Sequence, residues 1–500
     1  MDSSCPTCGS HTYRDTSLLP ADSHAINAQL RASLEEVQTA IRRQPEPAIL
    51  SELHRKRQEL ERRLGLIVYP VLTLPNEIVS RIFVDCLPDH GRVRPSQTAL
   101  LAQICRRWRD IALETCELWS SVDMTSTRHI TDQFLLTWFS RGKQYPLSWT
   151  LRAGFDRVYA FIPLIACRLW RLELCLQWTS YRMLANNHTS FPNLRQLALL
   201  PMYDSGMVEE CPILGFSGAP LLRELKIAES PQSVKLDIYP LLTTLDIHRI
   251  PSATLLSILR QLPQLLHVVA HLHDDNSSGP AIIAPFLQSF ILHGGCLNIL
   301  DFLTLPGLRR LEIDKANIDF PSCLEFFRRS VCALDHLGIW VYEDTDGLAA
   351  CLDAMPTVTS LCIDVVCDTS LIARILTKTP LLVPRLATLT LRFYDLEDYH
   401  LSPVVDFLCE RFARGLVSVK FQYYDDDDED DVRSWFPPAD CLAKLNELIS
   451  GGMDVELRWD KEYWNGGEYC PQKNEPGGAT RLLSDDSLLI NILDPCETFP

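Results

Sequence analysis

Two stretches near the N-terminus of this 500-residue chain carry apolar residues at helical spacing. The two apolar stripes contain Ile26, Leu30, Leu34, Val37 and Ile41, then Leu50, Leu53, Leu60 and Leu64. Residues three, four and seven positions apart share one side of a helix. The prolines of the QPEP segment between the stripes interrupt any continuous helix. The pattern therefore predicts a helical hairpin or a short coiled coil over residues 25–68, preceded by a disordered tail over 1–24.

A different pattern begins near residue 165, where apolar residues follow Leu-x-x-Leu-x-Leu or a close variant of it. Eleven such segments follow one another at intervals of 20 to 30 residues. Counted from the residue two positions before the first apolar residue of the pattern, which is usually a proline, they begin at residues 167, 192, 220, 240, 263, 285, 306, 332, 356, 384 and 414. Their alternation predicts a short strand with its leucines on one side, and the helical spacing between several of them predicts intervening helices.

The period of this pattern is that of a leucine-rich repeat, whose units are usually ~20–29 residues long. Stacked units bury a continuous core that no single unit buries alone. The predicted fold class is α/β, with a helical hairpin, a helical region over 70–125 and a solenoid of about eleven strand–helix units over 126–460. The asparagine that usually follows each strand is nearly absent, so the repeats are irregular. The polar segment 461–500 is predicted to be poorly ordered.

Charge and composition exclude some classes of partner. The net charge is −17 and the sequence pI is about 5.2, which argues against nucleic-acid binding because phosphate contacts need clustered Lys and Arg. The acidic run 425–431 is interpreted as a solvated loop, with the steering of a basic partner as an alternative. No segment has the length and apolarity of a membrane span, and the N-terminus lacks the apolar core of a signal peptide.

Candidate chemistry is sparse. The eighteen cysteines are spread along the chain, several of them within apolar segments, which favours buried free thiols and a location in the cytosol or nucleus. Cys5 and Cys8 have the spacing of half a zinc site, but no second pair follows them. The chain contains no P-loop, GxSxG or His-Glu-x-x-His motif. We therefore expect no enzymatic activity, no cofactor and no bound metal.

Two short segments with helical apolar stripes stand between the hairpin and the repeats. They are LTLPNEIVSRIFVDCL at 72–87 and LLAQICRRWRDIA at 100–112. Pro75 stands where a helix tolerates the missing N–H of proline, and the apolar residues of each segment are spaced to share one side of a helix. Two short helices cannot hide this much apolar surface from water, so part of it is expected to face a partner.

The pattern Leu-Pro-x-Glu-Ile-x-x-x-Ile-Phe, followed by Leu-x-x-Ile-Cys-x-x-Trp-Arg-x-Ile-Ala, resembles an F-box over residues 74–119. With the hairpin and the irregular repeats, the chain resembles the expanded F-box proteins of mushroom-forming fungi. The resemblance implies a substrate-recognition adaptor of an SCF-type (cullin–RING) ubiquitin ligase, in which the F-box docks a Skp-family adaptor and the repeats bind a protein target. The docking residues that it implies are Leu74, Pro75, Ile78, Ile82, Phe83, Leu87, Leu101, Ile104 and Trp108.

The alternative function is a scaffold or protein-binding module outside any ligase, in which the F-box-like helices form a structural cap on the repeats. The exposure of Leu74, Pro75, Ile82 and Phe83 separates the two hypotheses. An exposed, contiguous set favours the adaptor, whereas burial against the repeats favours the scaffold.

The seventh position of each Leu-x-x-Leu-x-Leu-x pattern, counted from its first leucine, is predicted to point away from the core, because side chains alternate along a strand. Since neighbouring strands lie about 4.8 Å apart, these residues should form one stripe. Three interpretations are open: a solvated surface, a target-binding stripe anchored by a Trp and an Arg, or a histidine cluster that binds metal or responds to pH. The candidate target-binding residues are His248, His271, His293, Asp314, Trp340, Asp364 and Arg392.

Overall fold

The structure is a computed structural model, and its described residues fall into two compact units. The first unit contains the described residues up to Asp123 and those from 131 to 145, and the second contains Met124 and the described residues from 146 onward. The described residues are 21–42, 47–65, 74–88, 95–124, 131–152, 158–176, 181, 184, 189–200, 216, 218–228, 236, 238–273, 279–294, 297–314, 320–341, 345–365, 382–393, 401–424 and 439–460. The Cys5–Cys8 pair, the acidic run 425–431 and the segment 461–500 lie outside them.

The first unit begins with a helical hairpin formed by α1 (Ala21–Arg42) and α2 (Pro47–Gly65). The two helices pack through the apolar stripes that the sequence predicts. Leu30, Val37 and Leu60 are buried at the centre of the hairpin, with partly buried leucine and isoleucine side chains around them. Ion pairs within α2, such as Glu52–Arg55, lie on the exposed side of the helix. The predicted coiled coil remains a prediction.

The remainder of the first unit is mostly helical. Its elements are α3 (Asn76–Asp85), α4 (Pro95–Gln103), α5 (Arg106–Glu114), a 3₁₀ turn (Cys116–Trp119), β1 (Ser121–Met124) and α6 (Asp132–Arg141). The sequence pattern predicted one apolar stripe from Leu101 through Ala112, but the chain breaks at Ile104–Cys105, where Cys105 is extended with φ −156° and ψ 168°. Leu101 and Trp108 therefore lie on two different helices.

Aromatic side chains form the core of this helical region. Trp119 is 1% exposed, meets Trp138 edge-on with 4.7 Å between ring centroids, and donates from Nε1 to the carbonyl oxygen of Ala112 at 2.8 Å. The guanidinium of Arg141 lies 4.7 Å above the Trp119 ring. Thr131 caps α6 by accepting a hydrogen bond from the Phe134 amide. Rings paired in this way stabilise a core beyond the area that they bury.

The second unit is organised around one parallel sheet whose strands lie side by side in chain order. The strands are β2 (Leu147–Arg152), β3 (Leu169–Cys175), β4 (Gln196–Leu199), β5 (Glu224–Ile227), β6 (Thr244–Ile250), β7 (His267–Leu272), β9 (Ser289–His293), β11 (Arg310–Asp314), β12 (His336–Val341), β13 (Ser360–Val365), β14 (Thr388–Phe393), β15 (Ser418–Tyr424) and β16 (Asp454–Asp460). A separate parallel pair joins β8 (Ile282–Ile283) to β10 (Leu303–Thr304).

The apolar residues of the repeat pattern stack in register from strand to strand, although the register shifts once between β2 and β3 and once between β6 and β7. Equivalent apolar residues pair from strand to strand, as Leu225 with Leu245 and Leu311 with Leu337. These residues are at most 1% exposed. The first leucine of a segment closes a turn just before the strand, as where the Leu308 amide donates to the Leu305 carbonyl at 3.2 Å. Each repeat therefore adds one layer to three continuous buried columns.

The turns before the strands touch one another through the second residue of the repeat segment. Asn193 donates to the carbonyl of Cys167 at 2.6 Å, and Gln264 donates to the carbonyl of Pro240 at 3.4 Å. Both carbonyls belong to the first residue of the preceding segment. At the equivalent place in another pair of units, a Cβ added to Gly307 would lie 2.3 Å from the carbonyl oxygen of Pro285. A side chain does not fit there, so the glycine is required by close approach.

Helices connect several strands and cover the apolar side of the repeats. They are α7 (Val158–Ile165), α8 (Ser252–Gln261), α9 (Phe320–Ser330), α10 (Thr345–Asp353), α11 (Ser402–Phe412) and α12 (Ala439–Ser450). The C-terminus of α9 is fixed to neighbouring chain, because Arg329 donates to the Leu300 carbonyl at 2.7 Å and Ser330 accepts from the Leu305 amide. The predicted helix near 370 lies outside the described residues.

The described chain is therefore a mixed helix-and-sheet protein with a helical region before a long parallel sheet. The sheet, with its strands in chain order and its apolar residues stacked from strand to strand, is compatible with a solenoid. The cysteines in the part of the chain that the structure describes are free thiols. The sequence prediction that they are buried is right for Cys105 and Cys351 but wrong for Cys409, which is exposed on α11, and Cys175 is half-buried.

Replacing Gly307 with Ala is expected to destabilise the sheet unit by roughly 1–3 kcal/mol, because the new methyl group must displace a backbone carbonyl. The measurement is the apparent urea midpoint of the purified chain. Phe286→Ala is the matched control, since Phe286 occupies the same repeat position one unit earlier and is 60% exposed. Equal midpoints for the Gly307→Ala chain and the unsubstituted chain would contradict the close contact.

Candidate functional site

Helix α3 presents two large aliphatic side chains to solvent. Ile78 is 49% exposed and Ile82 is 40% exposed, and the two lie one helical turn apart. Pro75, just before the helix, is exposed, and Leu74 is half-buried. The helix begins there because the Pro75 carbonyl accepts from the amides of Ile78 and Val79.

The sequence prediction of a single docking stripe is wrong for Phe83, which is buried. It is 0% exposed and packs on Trp108, with 4.8 Å between ring centroids. A helix turns about 100° per residue, so Val79 and Phe83 face the core while Ile78 and Ile82 face away from it. The structure therefore places Phe83 in the core of its own domain, where it holds α3 to α5, and not on an accessible face. Trp108 is half-buried in the same contact.

The second exposed apolar segment lies at the end of α4 and the break after it. Leu100 is 54% exposed and Ile104 is 40% exposed, whereas the predicted Leu101 is half-buried. The sequence analysis missed Leu100. A signal was present in the small residues beside it, because Ala99 and Ala102 take the buried side of α4 and leave Leu100 outward. Leu87, beyond the end of α3, is half-buried.

Polar contacts fix α5 against α3. Arg107 donates to the carbonyl of Leu74 at 2.9 Å and to the side-chain oxygen of Asn76 at 3.1 Å. The hydroxyl of Thr115 lies 2.9 Å from that of Ser80. The positions of the exposed side chains are therefore set by rigid helices. We call Pro75, Ile78, Ile82, Leu100 and Ile104 the exposed aliphatic set.

The parallel sheet carries a second candidate surface on the side away from its apolar columns, which we call the polar face. The register pairs His271 with His293, His293 with Asp314, Trp340 with Asp364, and Asp364 with Arg392. These are the seventh positions of successive Leu-x-x-Leu-x-Leu-x patterns, so the structure brings the predicted stripe together as neighbours. Trp340 is half-buried. Whether the stripe binds a target remains a prediction.

Three histidine rings stack at one end of this stripe. The ring centroids of His248 and His271 are 3.9 Å apart, and those of His271 and His293 are 4.2 Å apart, with 23° between the planes in both pairs. A carboxylate holds each outer ring: Asp246 lies 3.1 Å from Nε2 of His248, and Asp314 lies 3.0 Å from Nδ1 of His293. We call His248, His271 and His293 the histidine stack.

The pKa values around the stack follow from burial and contact. Burial and the two neighbouring imidazoles lower the pKa of His271 to about 3. Burial alone would raise the pKa of Asp246, but hydrogen bonds from His248 and Lys226 outweigh it and bring the pKa to about 2. The Lys226 ammonium lies 2.7 Å from the Asp246 carboxylate. His271 is thus neutral and Asp246 ionised across the physiological range.

A second polar cluster surrounds Glu312. Its carboxylate pairs with Arg310 and lies 2.9 Å from Nε2 of His336, whose Nδ1 is 2.9 Å from the Ser360 hydroxyl. Burial would raise the pKa of Glu312, but the contacts with His336 and Arg310 lower it to about 2. Gly338 makes room for this side chain, because a Cβ there would lie 2.7 Å from Cγ of Glu312.

Arg392 completes the far end of the stripe. Its Nη1 lies 3.6 Å from the carboxylate of Asp364, which is 2% exposed, and its Nε donates to the Gln422 side chain at 3.0 Å. Burial, followed by the nearby Asp364 carboxylate, raises the pKa of the Cys362 thiol to about 12, so this thiol is not a nucleophile. Arg392, one of the two anchors that the sequence suggested, is therefore engaged in contacts within the protein.

The metal interpretation of the histidines is not supported. Within the described residues, no group of three or more His, Cys, Asp or Glu side chains could hold a metal ion. Stacked rings are close face to face, and their nitrogen lone pairs lie in the ring planes and do not converge on one point.

A separate observation concerns membranes: none of the helices in the described ranges is long and apolar enough to cross one.

Comparison with known proteins identifies the helical region. Residues 71–125 match the F-box-like family, a span that contains α3, α4, α5, the 3₁₀ turn and β1. A search of curated proteins finds no match to this chain. The chain therefore carries an F-box-like domain, and that part of the sequence prediction is confirmed. The leucine-rich-repeat assignment and the resemblance to a fungal family remain predictions.

His271→Phe is expected to make the stability of the protein less sensitive to acid. The unfolded chain protonates this histidine near pH 6.5 and the folded chain only near pH 3, so acid favours unfolding between these values. The phenylalanine ring keeps the stack but takes no proton. The loss of unfolding free energy between pH 7 and pH 5 should shrink by roughly 1–2 kcal/mol.

Urea unfolding at pH 5, 7 and 8 tests this expectation. At pH 8 the histidine is neutral in both folded and unfolded chains, so any difference measured there reports packing alone and is subtracted. An identical pH dependence in the two chains would contradict the burial of a neutral His271.

Proposed function

We propose that this protein is a substrate-recognition adaptor of an SCF-type (cullin–RING) ubiquitin ligase. The F-box-like domain binds a Skp-family adaptor, and the repeats, read as leucine-rich repeats, bind a protein target. The observation that carries the proposal is the F-box-like match at 71–125, whose helices leave Ile78, Ile82, Leu100 and Ile104 between 40% and 54% exposed.

The exposed aliphatic set suits a protein partner. F-box domains in general bind Skp-family adaptors. Each side chain that loses half of its aliphatic surface to a partner contributes on the order of 1 kcal/mol of transfer free energy. Polar residues border the set, including Arg81 and Asp85, which form an exposed ion pair on α3. An apolar centre with a charged rim is the usual composition of a protein–protein contact.

The exposure of the F-box-like side chains gives less support to the scaffold hypothesis than to the adaptor hypothesis. It requires Leu74, Pro75, Ile82 and Phe83 to be buried against the repeats. Pro75 and Ile82 are exposed, and the burial of Phe83 is explained by Trp108 within the same domain. Two of the four residues, Pro75 and Ile82, therefore have the exposure that the adaptor hypothesis expects.

The polar face of the sheet is the proposed target site. It carries no catalytic chemistry in this proposal: the protein is not an enzyme and needs no cofactor, and its role is to hold two proteins near each other. We place it in the cytosol or nucleus, with no nucleic-acid or membrane partner. Trp340 is the proposed anchor, since buried aromatic contacts dominate many interfaces.

The double variant Ile78→Asp, Ile82→Asp is expected to abolish capture of a Skp-family adaptor, because both carboxylates would be desolvated in the contact. The measurement is co-purification of the full chain with the adaptor, followed by titration calorimetry. Binding should weaken at least 100-fold, as expected when on the order of 3 kcal/mol is lost.

The matched control is Leu136→Asp. Leu136 is 46% exposed on α6, outside the matched residues 71–125, so this substitution adds one carboxylate at similar exposure. Capture equal to that of the unsubstituted chain is expected for the control. No capture by the folded, unsubstituted chain would overturn the adaptor proposal in favour of the scaffold.

Trp340→Ala should weaken target binding while leaving adaptor capture intact. Substituting Arg392 as well would confuse the result, since its guanidinium lies beside the buried Asp364 carboxylate and its loss would affect folding. The measurement is quantitative comparison of ubiquitinated proteins bound by each chain, with Phe286→Ala as a control for loss of an exposed aromatic ring. Unchanged target recovery with Trp340→Ala would remove the stripe from the proposal.

A further inference from the structure

The histidine stack combines three imidazole rings with two carboxylates in a fixed order along the sheet. It places three imidazole rings in a row on three neighbouring strands, with a carboxylate at hydrogen-bonding distance from each of the two outer rings. We propose that the stack is a proton-operated switch on the polar face. It takes up two protons, on His248 and His293, while His271 stays neutral, and so makes this face bind acidic protein segments more tightly at pH 5.5 than at pH 7.5.

The geometry determines where the protons go. Asp246 and Asp314 lie 3.1 and 3.0 Å from ring nitrogens of the outer histidines, so a proton on either ring forms an imidazolium–carboxylate pair. His271 has a ring at about 4 Å on both faces. A proton there would create a row of adjacent cations, with no carboxylate in contact with the middle ring. The low pKa of His271, near 3, agrees with this arrangement.

Among the described residues, titratable and charged groups surround the middle ring on its own strand and on the strands beside it. Those on its own strand and turn are His267 and His273, and those on β6 are Asp246, His248 and Arg249. From β9 it faces His293, and one strand further away on each side lie Lys226 and Asp314. Among them, Asp246 also contacts the Lys226 ammonium and remains ionised.

Two protons reverse the charge in contact with the stack. One lysine and two aspartates, Lys226, Asp246 and Asp314, leave a net charge of −1 when the rings are neutral. Two imidazolium ions change it to +1. Elsewhere on the described face, Arg310 pairs with Glu312, Arg392 with Asp364 and Lys420 with Glu456, one cation to one carboxylate in each case. Protonation of the outer rings adds positive charge beside Asp246, which the Lys226 ammonium already contacts.

The inference rests on the proposed use of this face for target binding and names a class of target segment, one rich in Asp and Glu. Histidine is the side chain that changes charge between about pH 5 and 8. A surface that gains two positive charges over this range should attract such a segment by long-range forces and by contact, both weakened by salt.

Histidine-ring NMR of the full chain tests the switch directly. Ring carbon and proton shifts of His248, His271 and His293 are assigned with His248→Gln, His271→Phe and His293→Gln, and followed from pH 8 to pH 4.5. We expect His248 and His293 to titrate and His271 to keep the shifts of a neutral ring throughout. Titration of His271 within that range would overturn the proposal.

Peptide binding tests the consequence. The probes are fluorescein-labelled hexaglutamate and hexalysine, measured by fluorescence anisotropy at low salt. Hexaglutamate should bind the full chain three- to tenfold more tightly at pH 5.5 than at pH 7.5, a change that two partly screened charge contacts provide. The double variant His248→Gln, His293→Gln should remove this difference, since glutamine keeps a hydrogen bond to each carboxylate without taking a proton.

Equal affinity for hexaglutamate at the two pH values, or an equal pH effect in the double variant, would overturn the proposal. The failure is distinguishable from failure of the proposed function, because adaptor capture depends on Ile78 and Ile82, which the histidine variants leave unchanged. The urea midpoint of the double variant at pH 7.5, compared with that of the unsubstituted chain, serves as the test of folding.

Discussion

The register that the apolar residues of successive repeat segments share is the constraint on which the second unit depends. Each repeat segment must place its apolar residues at the height of those in the preceding segment, because a shift by one residue would turn the whole set to the other side of the sheet. The pairing of Leu311 with Leu337, and of Ile313 with Ile339, satisfies this requirement. Side chains opposite the core are then forced into rows about 4.8 Å apart, whatever their chemistry.

This forced proximity explains the chemistry of the polar face. Like charges in one row would repel, and the strands avoid this by placing opposite charges or neutral rings beside one another. Lys226 is beside Asp246, and Arg392 is beside Asp364. The histidines are an example of neighbouring rings, because their imidazoles lie about one strand spacing apart and stack face to face. The stack is therefore a consequence of register as much as of residue choice.

The sequence predicted the parts of the structure that depend on period. The helical hairpin, the strands and most intervening helices follow from apolar spacing, and the neighbour relations of the seventh positions follow from the repeat. The sequence prediction was wrong where a single contact decides where a helix ends or which side chain is buried. Nothing in the spacing shows that Cys105 ends one helix and begins another, or that Phe83 packs on Trp108 while Ile82 remains exposed. Those outcomes depend on which side of each helix meets its neighbours.

The two candidate surfaces differ in how they obtain specificity. The exposed aliphatic set consists of side chains held on rigid helices, and apolar contact of this kind changes little with salt or pH. The polar face has most of its charges compensated internally, as Glu312 is by Arg310 and His336. A compensated surface gives a charged partner little new attraction, because each ion pair must be broken or desolvated first. Selective recognition there needs either an aromatic anchor such as Trp340 or a change in protonation. The histidine stack is placed where protonation adds charge without breaking an existing pair.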